Sequence, residues 1–211
     1  MNIENLRQRI LSHHGEFICE EINRPSVRRT FEFRHLVRPL PAQTVSQLPE
    51  TGNLRAFFQT VGSMHFFHEA GSCECARHIA PPAEWGHLRE AFARWILGVG
   101  ESREWETDDY EIGTPLAKCL VIGETPASGN FIFMPLAGKN AGRIYEFDHD
   151  GFEIECCGDN LPDYAARLIQ PDGSRLVNYA SLMRFIENND WDRQWWIAEM
   201  RDSDGRVVCT K

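Results

Sequence analysis

The stretch of residues 116–157 constrains the fold of this chain more than any other part of its sequence. Within it, short segments rich in apolar, β-branched and aromatic residues alternate with turn signals such as Ser128-Gly129 and Asp150-Gly151. This succession is typical of antiparallel strands joined by short loops. We therefore predict strands over residues 118–122, 130–134, 143–148 and 152–156.

The Asp150-Gly151 pair is the strongest hairpin signal in the chain, and it fixes the register of the last two strands. With these two residues as the loop, His149 pairs with Phe152, and successive pairs alternate between the two faces of the ladder. One face is then predicted to carry the core pairs Phe147–Ile154 and Tyr145–Cys156, and the other face the acidic pairs Asp148–Glu153 and Glu146–Glu155.

Like charges directly opposite each other on a ladder are mildly destabilising, so stability does not explain these four carboxylates. One interpretation is a solvated face whose charges are screened by salt. Another is a docking surface for a basic protein, because complementary charge sets partner choice and association rate. A divalent-cation site is the least favoured interpretation, because a flat two-stranded patch lacks the wrapped oxygen ligands that Ca²⁺ needs.

The segments on both sides of this stretch show helical and strand periodicities. Helices are predicted over residues 3–11, 48–61, 85–96, 161–169 and 176–187. Further strands are predicted over residues 30–37, 64–69 and 75–80, and in a closing hairpin of residues 194–200 and 206–209. Trp85 and Trp95 fall on one apolar stripe of a predicted helix, which indicates core packing for both.

Length and charge narrow the possible functions. The 211 residues suit one domain, and the sequence has no apolar run of the roughly 18 residues that a membrane span needs. A net charge of −9 argues against nucleic-acid binding, which requires a basic face for the phosphates. The N-terminus lacks the apolar core of a secretion signal, so we expect a cytoplasmic protein whose seven cysteines are reduced.

A cluster of His65, His68, Cys73, Cys75 and His78 contains residue types that bind zinc. On a regular strand, however, His65 and His68 point to opposite faces, and the Cys-x-Cys spacing is not that of a zinc knuckle. Ordinary hairpin residues are therefore the favoured interpretation, and zinc binding is the minor alternative.

The adjacent Cys156 and Cys157 point to opposite sides of a strand, and a nucleophilic thiol needs a base or a helix N-terminus to lower its pKa. Cys157 precedes a predicted helix, but an idle or buried thiol is the favoured interpretation. The sequence contains no nucleophile elbow, P-loop, HExxH or dinucleotide-binding glycine motif. We therefore predict a non-enzymatic protein with no catalytic residue, no metal and no cofactor.

Four segments carry a resemblance to the SUKH superfamily, which includes a fungal cell-wall-assembly regulator and many bacterial immunity proteins. They are Leu48-Pro49 with the Phe57-Phe58 helix, LVIGE at 120–124, SGNFIFMP at 128–135 and GRIYEFDHD at 142–150. These segments are fold markers and contain no catalytic motif. The resemblance covers residues 48–169, with residues 1–47 as an N-terminal extension and residues 170–211 as a C-terminal helix and hairpin. It implies an α+β fold with a twisted, mostly antiparallel sheet and helices packed around it.

The resemblance also implies a function, because many bacterial members of this superfamily are intracellular antidotes that bind and block a toxin, often a nuclease. We therefore expect a protein-binding module, an immunity protein whose partner is a basic toxin domain. The candidate partner-binding residues are the acids Asp108, Asp109, Glu111, Glu146, Asp148, Glu153 and Glu155. On this hypothesis, Glu146→Lys combined with Glu155→Lys weakens partner binding and leaves folding intact. The alternatives are a scaffold protein in a larger assembly and, as an enzyme, a cysteine- or zinc-dependent hydrolase.

Overall fold

One antiparallel sheet of eleven strands runs through the computed structural model, which describes residues 2–72, 74–98, 112–170, 184–186 and 194–210. Its strands are β1 (His14–Glu21), β2 (Arg24–Arg38), β3 (Ser63–Glu69), β4 (Arg77–Ile79), β5 (Cys119–Thr125), β6 (Asn130–Pro135), β7 (Ile144–Asp148), β8 (Glu153–Gly158), β9 (Arg184–Ile186), β10 (Gln194–Asp202) and β11 (Val207–Thr210). Ten of them follow in the order β11-β10-β1-β2-β3-β4-β5-β6-β7-β8, and β9 pairs with β10.

Five α-helices in the described part of the chain accompany this sheet. They are α1 (Ile3–Ser12), α2 (Ala42–Val45), α3 (Leu54–Thr60), α4 (Trp85–Gly98) and α5 (Leu161–Leu168), with short 3₁₀ turns at Thr51–Asn53, Pro82–Glu84 and Leu116–Lys118. The predicted α+β domain with an antiparallel sheet is confirmed. Within the described ranges, no helix combines the length and apolar character needed to cross a membrane.

The helices α4 and α5 cover opposite faces of the sheet. The Phe92 ring of α4 packs against Phe131, Phe133 and Phe147, with ring centroids 5.2–5.4 Å apart. The Tyr164 hydroxyl of α5 donates a hydrogen bond to Glu146, the neighbour of Phe147 in β7. Because successive strand residues point to opposite faces, the two helices enclose the sheet between them.

The described parts of the terminal segments extend this sheet. Strand β1 pairs with β10 on one side and with β2 on the other, and β2 in turn pairs with β3. The predicted closing hairpin is confirmed as β10 and β11, although its pairing with β1 spans most of the chain length. Strand β1 has no counterpart among the predicted elements.

Two other predicted elements differ from the structure. The helix expected from residue 48 begins at Leu54, because Gly52 and Asn53 have left-handed backbone angles (φ 65° and 60°) that interrupt a helix. Within the helix predicted over residues 176–187, residues 184–186 form strand β9, which pairs with β10. The rest of that predicted helix lies outside the described residues.

The β7–β8 hairpin has the predicted register but a different loop. Glu146 pairs with Glu155 and Asp148 with Glu153. The loop spans residues 149–152 as four residues, with Phe152 in a left-handed conformation (φ 53°). The Asp150 backbone N–H donates to the Asp148 carboxylate at 3.0 Å, a side-chain contact that stabilises a longer loop than the two-residue type.

The predicted core position of Cys156 is wrong, because its side chain is exposed. It shares a face with its partner Tyr145, which is buried. On that face, Phe92 of α4 packs over β6 and β7, whereas Cys156 lies on β8, the last strand in the order. Exposure of Cys156 therefore follows from its place at the edge of the sheet.

A bulge at Phe67 interrupts the pairing of β2 with β3. Arg34 pairs with His68 and Leu36 with His65, so Phe66 and Phe67 oppose only His35. Phe67 has a φ of 53°, and its backbone N–H donates to Nδ1 of the buried His35 at 3.1 Å. Nε2 of His35 lies 2.7 Å from Nδ1 of His13. Since Nδ1 of His35 accepts a hydrogen bond, a neutral His35 carries its proton on Nε2 and donates it to His13.

Candidate protein-interaction surface

The β5–β6 turn and the β7–β8 loop lie at one end of the sheet. They are joined through Asn130, a buried residue at the start of β6. Its Oδ1 accepts a hydrogen bond from the His149 backbone N–H at 3.0 Å and lies 2.7 Å from Nδ1 of the same histidine. Nδ1 of His149 is therefore the donor, because an amide oxygen only accepts. Nε2 of His149 points the other way and lies 3.0 Å from the Asp150 carboxylate.

Trp95 of α4 rests on both loops and remains 40% exposed. Its ring centroid lies 4.8 Å from that of His149. A Cβ at Gly129 would lie 2.8 Å from Cζ2 of the indole, so the ring occupies space that only a glycine leaves free. Ala91, Arg94 and Gly98 line a shallow depression of about 350 Å³ together with the same indole.

The predicted core position of Trp95 is therefore wrong, whereas that of Trp85 is confirmed. The buried stripe of α4 runs through Leu88, Phe92 and Ile96. Ile96 occupies the core position one turn after Phe92, and Trp95 consequently lies at the border of the stripe. Helical spacing alone does not separate these neighbouring positions, because three- and four-residue steps both fall on the same face.

Exposed carboxylates lie on and beside the loop that carries His149, the residue that contacts the Trp95 ring. Asp148 and Asp150 are exposed, and their oxygens lie within 4.8 Å of each other and of a His149 ring nitrogen. Glu153 is also exposed, and its side chain runs beside Gly151 of the loop. We refer to Trp95, Asp148, His149, Asp150 and Glu153 as the hairpin-end surface. It combines an aromatic ring in a fixed position with acidic groups.

The seven predicted partner-binding acids fall into three groups. Exposed on the β7–β8 hairpin are Asp148, Glu153 and Glu155. Outside the described residues are Asp108, Asp109 and Glu111. The seventh, Glu146, is half-buried and belongs to an internal network, which corrects the prediction of four free carboxylates on one patch.

The network around Glu146 links β4, β7 and α5. Arg77 is buried, with 4% of its side chain exposed, and its Nη2 and Nε donate to Glu146 at 2.9 and 3.2 Å. The Tyr164 hydroxyl donates to Oε1 of Glu146 at 2.6 Å, and Nη1 of Arg77 donates to the Ala76 carbonyl oxygen. Glu146 therefore compensates a buried positive charge and is not available to a partner.

Two cysteines near this network, Cys75 and Cys157, are not activated. Burial and the neighbouring Glu146 and Glu155 carboxylates raise the pKa of the Cys157 thiol to about 12. Burial likewise raises the pKa of Cys75 to about 12. Both groups therefore remain protonated thiols at neutral pH, whereas nucleophilic attack requires the thiolate. The adjacent Cys156 is exposed, so the predicted opposite orientation of the two thiols is confirmed.

The histidine cluster differs from its prediction. The Phe67 bulge places His65 and His68 on the same face, with ring centroids 5.9 Å apart, and His78 pairs with His65 across the strands at 4.5 Å. Burial and the neighbouring His78, His68 and Arg38 lower the pKa of His65 to about 4. Nevertheless, among the described residues only Asp148, His149 and Asp150 bring three possible metal-donor atoms within 4.8 Å of one another. Cys73 lies outside the described residues.

No known protein family, curated protein or solved structure matches this chain. The geometry of the described residues is therefore the basis for a functional proposal.

Proposed function

We propose that this chain is a protein-binding module that engages a basic protein through the hairpin-end surface. The observation that supports this proposal is the position of Trp95, which is 40% exposed although His149 and Gly129 hold its ring in one place. A large aromatic ring that needs no reordering loses little conformational entropy on binding, and tryptophan is enriched among residues that dominate binding energy.

Charge supports a basic partner. Asp148, Asp150 and Glu153 are exposed on and beside the His149 loop, and the whole chain carries a net charge of −9. Exposed acids of this kind contribute little to stability, because water and salt screen them. They accelerate association with a surface of opposite charge and suppress partners of like charge.

The biological role we propose is that of an immunity protein that covers a cognate toxin domain, as the resemblance to the SUKH superfamily suggests. A nuclease toxin is basic where it contacts nucleic acid, so it offers the complementary surface. In this role the chain needs no catalytic group of its own, since blocking the toxin surface is sufficient.

The test begins with the neighbouring genes in the native genome, where the proposal predicts a gene for a toxin-like domain. We expect the purified chain to inhibit that domain's nuclease activity and to bind it with an affinity that falls as salt concentration rises. Absence of both inhibition and binding contradicts the antidote role.

Variants then test the surface. We expect Trp95→Ala to weaken binding by about 2 kcal/mol or more, as for central aromatic anchors. Asp148→Lys combined with Glu153→Lys should reduce the association rate and its salt dependence. The matched control is Glu50→Lys combined with Asp204→Lys, which makes the same charge change at exposed sites elsewhere. Equal effects of the two double variants would show that net charge, and not this surface, determines binding.

A further inference from the structure

A cavity of about 810 Å³ lies between the first three strands and the β10–β11 turn, away from the hairpin-end surface. Its volume is within the range of small-molecule sites. Two rows of polar side chains cross its floor. In one row His14, Arg34 and His68 are paired across β1, β2 and β3, and in the next row Glu16 is paired with Glu32.

Both rows lie on the same face of the sheet. Directly paired residues share a face, and residues two apart on one strand, such as Glu32 and Arg34, also share it. Because a strand advances by about 3.4 Å per residue, the acidic and basic rows are separated by about 7 Å. The cavity therefore presents a negative pair and a positive row at a defined spacing.

Of these charged groups, His14, Glu32 and Arg34 are exposed, Glu16 is half-buried and His68 is buried. Glu16 and Glu32 lie directly opposite each other, and Glu16 is also paired with Arg201 of β10, whose guanidinium is bound to Glu199. Among the described residues, no ion pair or hydrogen bond involves the side chains of Glu16, Glu32 or Arg34. His68 is only 9% exposed, and its Nδ1 is buried with no hydrogen-bond partner there. By contrast, Asp202 on the rim accepts hydrogen bonds from the backbone N–H groups of Asp204 and Arg206.

The arrangement discriminates between classes of ligand. Two carboxylates at directly paired positions attract a cation, and an ammonium group has three hydrogens to share between them. The neighbouring Arg34 repels a simple cation, and the carboxylates repel a simple anion. A ligand that carries both charges, one over each row, satisfies all of these groups at once.

We propose that this cavity binds a small zwitterion of the ω-amino acid class, with its ammonium group between Glu16 and Glu32 and its carboxylate against Arg34 and His68. The guanidinium provides paired donors for the carboxylate. The buried ring nitrogen of His68 provides a further contact that water in the open part of the cavity does not supply. This site is independent of the proposed binding of a protein partner.

The first experiment measures binding of simple probes to the full chain by isothermal titration calorimetry. The probes are glycine, 4-aminobutyrate, 6-aminohexanoate and 8-aminooctanoate, with hexanoate and hexylamine as single-charge controls. We expect affinity to pass through a maximum along the series near 6-aminohexanoate, and each control to bind about tenfold more weakly than that probe or worse, because it loses one charged contact. Absence of saturable binding, or equal binding of hexanoate and 6-aminohexanoate, would overturn the proposal.

The second experiment uses variants that keep side-chain size. Arg34→Gln and Glu32→Gln should each weaken binding of 6-aminohexanoate by about tenfold. Arg28→Gln is the matched control on the same strand, because Arg28 pairs with Glu20 outside the cavity. Glu32→Gln removes a repulsion between directly opposite charges, so it should not lower the urea midpoint. Equal affinities of Arg34→Gln and Arg28→Gln, with both variants folded, would overturn the assignment.

Discussion

Removal of the Glu146 carboxylate should destabilise the fold far more than removal of the Glu155 carboxylate directly opposite it. Glu146 has 14% of its side chain exposed and receives hydrogen bonds from the buried Arg77 and from Tyr164. Glu155 is exposed on the outermost strand of the ladder. Loss of one partner of a buried ion pair typically costs about 3–5 kcal/mol, because the other charge remains buried.

We expect Glu146→Gln to lower the free energy of unfolding by about 3 kcal/mol, since the amide oxygen still accepts a hydrogen bond from Arg77. This loss is a large share of the free energy of unfolding of a typical domain, which is roughly 5–15 kcal/mol. Glu155→Gln should stay within about 0.5 kcal/mol. Urea unfolding followed by circular dichroism measures both values, with a constant m-value as the check that the same transition is compared.

A double-mutant cycle isolates the pair itself. Arg77→Met removes the buried charge, so Glu146→Gln should cost less in that background than in the native chain. Contacting residues of this kind show coupling energies of about 0.5–3 kcal/mol. The reasoning is refuted if Glu146→Gln and Glu155→Gln shift the midpoint equally, or if the two single effects simply add.

Three further predictions follow from local geometry. Burial lowers the pKa of His13 and His35 below the ordinary histidine value of about 6.5, so below that pH the unfolded chain binds more protons than the folded one. The free energy of unfolding should therefore fall between pH 7 and 5 by up to about 1.4 kcal/mol per pH unit for each histidine, and a flat profile of urea midpoints would contradict this. Gly129→Ala introduces a Cβ at a φ of 82°, 2.8 Å from the Trp95 indole. It should therefore lower the urea midpoint and change tryptophan fluorescence. Gly86→Ala is the control and should do neither, because the space around its Cβ is open. Cys156 should react with a thiol reagent at neutral pH, whereas Cys157 should react only when the protein unfolds. Mass spectrometry of the labelled peptides distinguishes the two cysteines. Equal labelling of both in the native protein would contradict the burial of Cys157.

The parts of this fold that could be predicted are those that local patterns specify. Strand alternation and the Asp150-Gly151 signal give the correct pairing of Glu146 with Glu155, because the side-chain period of two leaves one register that buries the apolar residues. The pairing of β1 with β10 joins distant segments, and no local period reports it. The bulge at Phe67 reverses the orientation expected for His68, because one extra residue moves every later side chain to the other face.

For the candidate surface too, the features that local pattern specifies could be predicted, and those that depend on tertiary contacts could not. Alternation correctly places Glu146 and Glu155 on one face, but it does not report what covers that face. Arg77 lies 69 residues away from Glu146, and this contact makes one member of the pair internal while the other stays exposed. Reversal of both charges would therefore weaken partner binding through partial unfolding, whether or not the face docks a protein. Substitution of Glu153, which is exposed at its paired position, separates the effect on binding from the effect on stability, whereas Asp148 also accepts the hydrogen bond from the Asp150 backbone N–H.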